Sequence, residues 1–110
     1  MVVHEAQAMP RHKPVSAGRA ALRAIDKLLA ERPRKVGQDF SEATRSVTAY
    51  RDQLIAIWRD SGSQADFDRL AAVNSVLSVV IGGHFPLGDV PWGHIEKARR
   101  QLADNLKRHH

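Results

Sequence analysis

The sequence predicts an all-α fold: an antiparallel helical bundle of three long helices plus a shorter N-terminal basic helix. Two observations carry this. Apolar residues recur at three- and four-residue spacing in four successive stretches, and proline or glycine pairs punctuate the gaps between them. No stretch shows the clean apolar–polar alternation of a half-buried strand.

The first helix is expected from about Ala17 to Arg32. Ser16 has the chemistry of an N-cap, its hydroxyl accepting from an orphan backbone N–H. Ala21, Leu22, Ile25, Leu28 and Leu29 share one face, and Arg19, Arg23 and Lys27 recur every four residues on the other. Pro33 ends the helix by pushing its predecessor out of the helical region.

The second helix is expected from about Phe40 to Asp60, with Asp39 and Glu42 at the spacing of a capping box. Val36, Phe40, Ala43, Val47, Tyr50, Leu54, Ile57 and Trp58 form a near-heptad stripe, which calls for a long partner helix at a shallow angle. Ser61-Gly62 ends it.

The third helix is expected from just after Ser63 to about Ile81. Its second half, LAAVNSVLSVVI, is apolar nearly all round, the pattern of a helix buried on several sides. Its β-branched content suits a strand too, but Phe67, Leu70, Asn74, Leu77 and Ile81 keep helical spacing. Gly82-Gly83 is read as its stop signal. The fourth helix is expected from about Pro91, with Trp92, Ile95, Ala98, Leu102 and Leu106 inward and Lys97, Arg100, Lys107 and Arg108 outward.

A chain of 110 residues is one domain by size. Residues 1–15, broken by Pro10 and Pro14, read as a flexible N-terminal arm, and residues 16–108 as a single helical-bundle domain. The absence of cysteine excludes disulfides, thiol nucleophiles and cysteine-ligated metals. The N-terminus has no signal-type apolar core, and no apolar run approaches the ~20 residues needed to span a bilayer. The expectation is a cytoplasmic protein without a membrane association.

The formal charge of +5 is unevenly spread. Residues 1–38 hold eight Lys/Arg against three Asp/Glu, residues 39–88 four against six, and residues 89–110 five against three. Basicity therefore sits at the two ends. The stripe Arg19, Arg23 and Lys27, continued by Arg34 and Lys35 and preceded by Arg11 and Lys13, is a possible anion or nucleic-acid surface. It has no interleaved aromatics for base stacking, and the Ser61–Ser63 connection joins two long helices, unlike a helix-turn-helix. Any nucleic-acid contact would be to the phosphate backbone and non-specific. The bland alternative is a solvated face of an amphipathic helix.

His84 lies within GGHFPLGDVPWG and His94 follows it. Ten residues across a helix start is no recognised ligand spacing, and the segment lacks the lysine of a P-loop. It reads as punctuation, with Phe85, Leu87 and Trp92 anchored on the core. Neither a metal nor a cofactor is expected. Motifs of nucleophilic hydrolases, zinc proteases and di-iron bundles are absent, so a non-enzymatic role is expected.

Arg51 and Arg99 fall within apolar arcs of their helices, and Asn74 lies on the third helix's stripe. An unpaired buried arginine is costly. The arginines either snorkel from the edge, pair with acids such as Asp66 and Asp68, or mark a shared face. Asn74 would be a buried polar residue fixing register or oligomeric state. The third helix's all-round apolarity in so short a chain favours a protein-interaction module, a homo-oligomer or the binder of a partner protein.

Overall fold

The structure, a computed structural model, describes residues 13–33, 38–85 and 88–109. Among these residues it is all-helical, with four helices and no strand: α1 (Lys13–Glu31), α2 (Gln38–Ser61), α3 (Gln64–His84) and α4 (Trp92–His109). They run to 19, 24, 21 and 18 residues, so the N-terminal helix is not set apart by length. The helices pack as a ring: α1 touches α2 and α4, and α3 touches the same two.

One apolar core fills the ring. α1 supplies Ala21, Ile25 and Leu28; α2 supplies Phe40, Ala43, Val47, Tyr50 and Leu54. α3 adds Leu70, Val73, Val76, Leu77 and Val80, and α4 adds Ile95, Ala98, Leu102 and Leu106. The stripes expected for α1, α2 and α4 thus face the core, with Leu22, Leu29, Ile57, Trp58 and Trp92 only partly buried and Val36 outside the described residues. Truncating a fully buried side chain such as Phe40 to alanine costs about 3–5 kcal/mol.

α1 begins at Lys13, earlier than expected, so Ser16 lies inside the helix and does not cap it. The reason is Pro14, read above as part of a flexible arm: in a first turn its missing N–H would have had no partner anyway. The rest of that arm, residues 1–12, lies outside the described residues. At the other end Arg32 takes a left-handed φ of 40° while its N–H donates to the Leu28 carbonyl, closing α1 just before Pro33. α2 begins at Gln38, which places Asp39 within its first turn, where its carboxylate turns to Lys27 of α1.

The turn between α2 and α3 follows the sequence closely. Gly62, at φ 63°, donates to the Trp58 carbonyl in the left-handed conformation that ends many helices. Ser63 then caps α3, its Oγ accepting from the Asp66 N–H at 3.1 Å.

Gly82-Gly83 does not stop α3, which continues to His84. Gly83 is instead a contact glycine. A Cβ there would lie 3.0 Å from both Ile95 Cδ1 and Phe40 Cε1, so α3, α4 and α2 converge on a position where only hydrogen fits easily. Gly82 faces open space. The histidine expected in a loop is consequently on the helix's last turn, half-buried, with Nδ1 3.4 Å from Thr44 Oγ1.

Candidate interaction surfaces

α3 buries one arc and leaves the other bare. Its buried positions are Leu70, Val73, Val76, Leu77, Val80 and Gly83. Phe67 (43%), Ile81 (41%) and Phe85 (71%) are the large apolar side chains left exposed among the described residues. Of the expected stripe, Leu70 and Leu77 are buried, whereas Phe67, Asn74 and Ile81 are exposed. With so many apolar positions on α3, spacing alone did not fix its rotation. Packing against two helices selected the arc richest in valine and leucine.

Asn74 is exposed and is not a buried polar residue. It lies among Phe67, Ala71, Ser78, Ile81 and Phe85, all exposed and spaced four, three, four, three and four apart. At 100° per residue the five within α3, Phe67 to Ile81, fall within an arc of roughly 80°, and Phe85 follows the end of the helix. α3 carries no charged residue from Leu70 through Gly83. Phe67 leans on Trp58 with ring centroids 5.5 Å apart, and Phe85 stacks on His84 at 4.5 Å. Phe85 thus does not tuck onto the core as expected, and Leu87 lies outside the described residues. Trp92 does pack on the core, its ring centroid 5.8 Å from that of Phe40, with the Arg32 guanidinium over it at 5.8 Å.

The two arginines on apolar arcs find acids, though not Asp66 or Asp68. Arg99 is bound by Asp26 of α1, with Nε 2.7 Å from Oδ1. The hydrogen bond to that carboxylate, more than its charge, raises the Arg99 pKa above its ordinary value. Arg51, half-buried, turns to Asp52 on its own helix, Nη2 to Oδ1 2.9 Å. Both acids flank the core, which lets the stems lie on apolar surface while the guanidinium groups stay at its edge. Asp66 is engaged by Arg69 at 3.0 Å, and Asp68 accepts from the Gln64 amide at 2.8 Å.

The basic stripe divides. Arg19 and Arg23 are exposed on α1 without an acidic partner among the described residues. Lys27 is different: its Nζ lies 3.6 Å from Asp39 and 3.8 Å from Glu42. Glu42 and then Asp39 and Glu31 raise its pKa, and a hydrogen bond to Asp39 raises that of Glu31. Three carboxylates around one ammonium make this an acidic spot. Arg34 and Lys35 lie outside the described residues.

One polar corner was not foreseen. Asn105 is 1% exposed, its Nδ2 donating to the Arg69 carbonyl at 3.4 Å. The Arg69 Nε is buried without a partner among the described residues. With Ala65, Asp68 and Arg108 these residues line a cleft of about 350 Å³. Its lining carries Arg69 and Arg108 against Asp68, and Arg69 is already paired with Asp66. The signal was present: Ala98, Leu102 and Asn105 share one stripe by spacing, and Asp66 precedes Arg69 by three.

His94 is exposed, and among the described residues no three His, Asp or Glu side chains gather as metal ligands would. No helix of the described residues is long and apolar enough to cross a membrane. The chain matches no family model, no curated protein and no solved structure.

Proposed function

We propose that this chain is a non-enzymatic protein-interaction module that self-associates through the outer face of α3, its four helices forming an antiparallel bundle that presents that face. One observation carries the reading. Of the three exposed large apolar side chains of the described residues, Phe67 and Ile81 share the outer face of α3, and Phe85 directly follows the helix. Single exposed apolar residues are ordinary, but an aligned uncharged strip marks an interaction site.

Sedimentation velocity tests this. The weight-average mass should rise with concentration from 12.2 kDa toward twice that value. A Phe67→Ser/Ile81→Ser variant should stay monomeric with unchanged helical circular dichroism. A wild-type mass that stays monomeric at millimolar concentration sinks the proposal.

A second reading, a nucleic-acid accessory protein gripping phosphates through α1, rests on Arg19 and Arg23, exposed and without an acidic partner among the described residues. The acidic surroundings of Lys27 weigh against it. Duplex binding that Arg19→Glu/Arg23→Glu abolishes, and that falls steeply with salt, would favour it.

A further inference from the structure

We infer that α1 and α4 together form one anion-binding face, built by Arg19, Arg23, Arg100 and Lys107, whose partner is the phosphate backbone of a nucleic-acid duplex. This rests on the second reading above and widens its surface from one helix to two.

Charge is divided between the two halves of the ring. α1 and α4 hold nine Lys/Arg against four Asp/Glu, whereas α2 and α3 hold four against six. Of those four acids Asp26 is bound by Arg99 and Glu96 by Arg32, and Glu31 shares a hydrogen bond with Asp39 at the α2 edge. Arg19, Arg23, Arg100 and Lys107 are exposed and have no acidic partner among the described residues. Two contacts set the register of the helices. A Cβ at Gly18 would overlap Leu106, and Asp26 binds Arg99. The helices therefore run antiparallel, with Arg19 near the level of Lys107 and Arg23 near that of Arg100. At 100° per residue Arg100 and Lys107 lie within about 20° of each other, opposite the stripe of Ile95, Ala98, Leu102 and Leu106. Arg19 and Arg23 lie within about 60° of Asp26, the residue of α1 that reaches α4. Four cations thus stand on one side of the bundle, two to a helix.

A duplex backbone suits this face because the face offers charge and little else. The exposed large apolar side chains of the described residues, Phe67, Ile81 and Phe85, belong to α3 and its end, so nothing here enters the apolar layer of a membrane. For the same reason no exposed ring stands among the four cations for a single-stranded base to stack on. Arg100 and Lys107 are about 10 Å apart along the helix axis, a length over which a duplex presents about six phosphate charges. The exposed Asp104 lies between them on α4 and opposes binding. The acids around Lys27 close the face at its α2 edge. Four phosphate contacts give log K a slope of about −3.6 against log salt, and two contacts from α1 alone about half that.

Fluorescence anisotropy of a labelled duplex across a salt series tests this, with helical circular dichroism confirming that each variant is folded. The wild type should lose about 100-fold in affinity between about 50 and 200 mM salt. Arg100→Gln/Lys107→Gln should halve the slope, and Asp104→Asn should tighten binding several-fold. Arg45→Gln/Arg59→Gln removes the same charge from exposed positions of α2 and should leave the slope unchanged. A chain that binds no duplex at low salt, whether or not it binds phosphatidylserine vesicles, defeats the second reading and this inference with it. Duplex binding that Arg19→Glu/Arg23→Glu abolishes, while Arg100→Gln/Lys107→Gln keeps the full slope, overturns the two-helix face and leaves the reading through α1 standing. An equal loss in Arg45→Gln/Arg59→Gln also overturns it, because net charge and not this face would then be what the duplex meets.

Discussion

Two neighbouring glycines separate local propensity from packing. Gly82 and Gly83 both lie in α3, where glycine is about 1 kcal/mol less favourable than alanine. A methyl at Gly82 meets nothing within 4 Å, so Gly82→Ala should stabilise the fold by roughly 0.5–1 kcal/mol. At Gly83 the methyl would press on Ile95 and on the buried ring of Phe40, each at 3.0 Å. Overpacking of this kind costs about 1–3 kcal/mol, which outweighs the propensity gain. Gly83→Ala should therefore be net destabilising by about 1 kcal/mol. Urea unfolding of the two variants checks this, and equal effects of the same sign would show that the three helices do not converge there. Reading the glycine pair as a stop signal used propensity alone. It missed that a helix can keep a glycine when a neighbour needs the space.

At the scale of helices, the apolar packing of α1 on its neighbours is edged by ionic pairs. Arg99 binds Asp26, Arg32 binds Glu96, and Lys27 faces Asp39 and Glu42. Exposed pairs contribute about 0.2–1 kcal/mol at most. A double-mutant cycle on Asp26→Asn and Arg99→Met should give a coupling in that range that vanishes in 1 M salt. A coupling well above it that persists in salt would mean that the α1–α4 edge is drier than its exposure indicates. The four helices were legible because their apolar stripes are sharp. The stripes of α1, α2 and α4 were readable in outline, though buried Gly18 and Asn105 were not among the expected residues. In α3 apolar positions nearly encircle the helix, so its rotation was set by which neighbours it met. That one rotation moved Asn74 from the expected core to the surface and turned the notion of a fully covered helix into one with a bare face. The ionic partner of Arg99 was beyond reach for another reason. Asp26 lies 73 residues from Arg99, and no spacing rule links them.

At the scale of the whole molecule, the four helices meet around Tyr50. It belongs to α2 and is fully buried. A Cβ at Gly18 of α1 would lie 3.0 Å from its ring and overlap Leu106 of α4, and the charge of Arg69 on α3 reaches it. Burial pushes the phenol up to about 12 from an ordinary value of 10.0, with Arg69 pulling weakly the other way. Between those two values the folded chain keeps a proton that the unfolded chain has lost. Stability from this group is therefore complete below pH 10 and drains away as pH rises toward about 12. Lys27, whose pKa is also raised, contributes in the same direction. The chain has one tyrosine, so phenolate absorbance reports on this position alone. Folded protein should show no phenolate signal at pH 11 while its helical circular dichroism is intact. The signal should appear together with unfolding. Tyr50→Phe should start from lower stability and lose less of it between pH 9 and 11.5. A phenolate that titrates near pH 10 in a fully helical chain would mean that the centre of the ring is open to water, and that the tight contact of Gly18, Leu106 and Tyr50 does not close the core at this end.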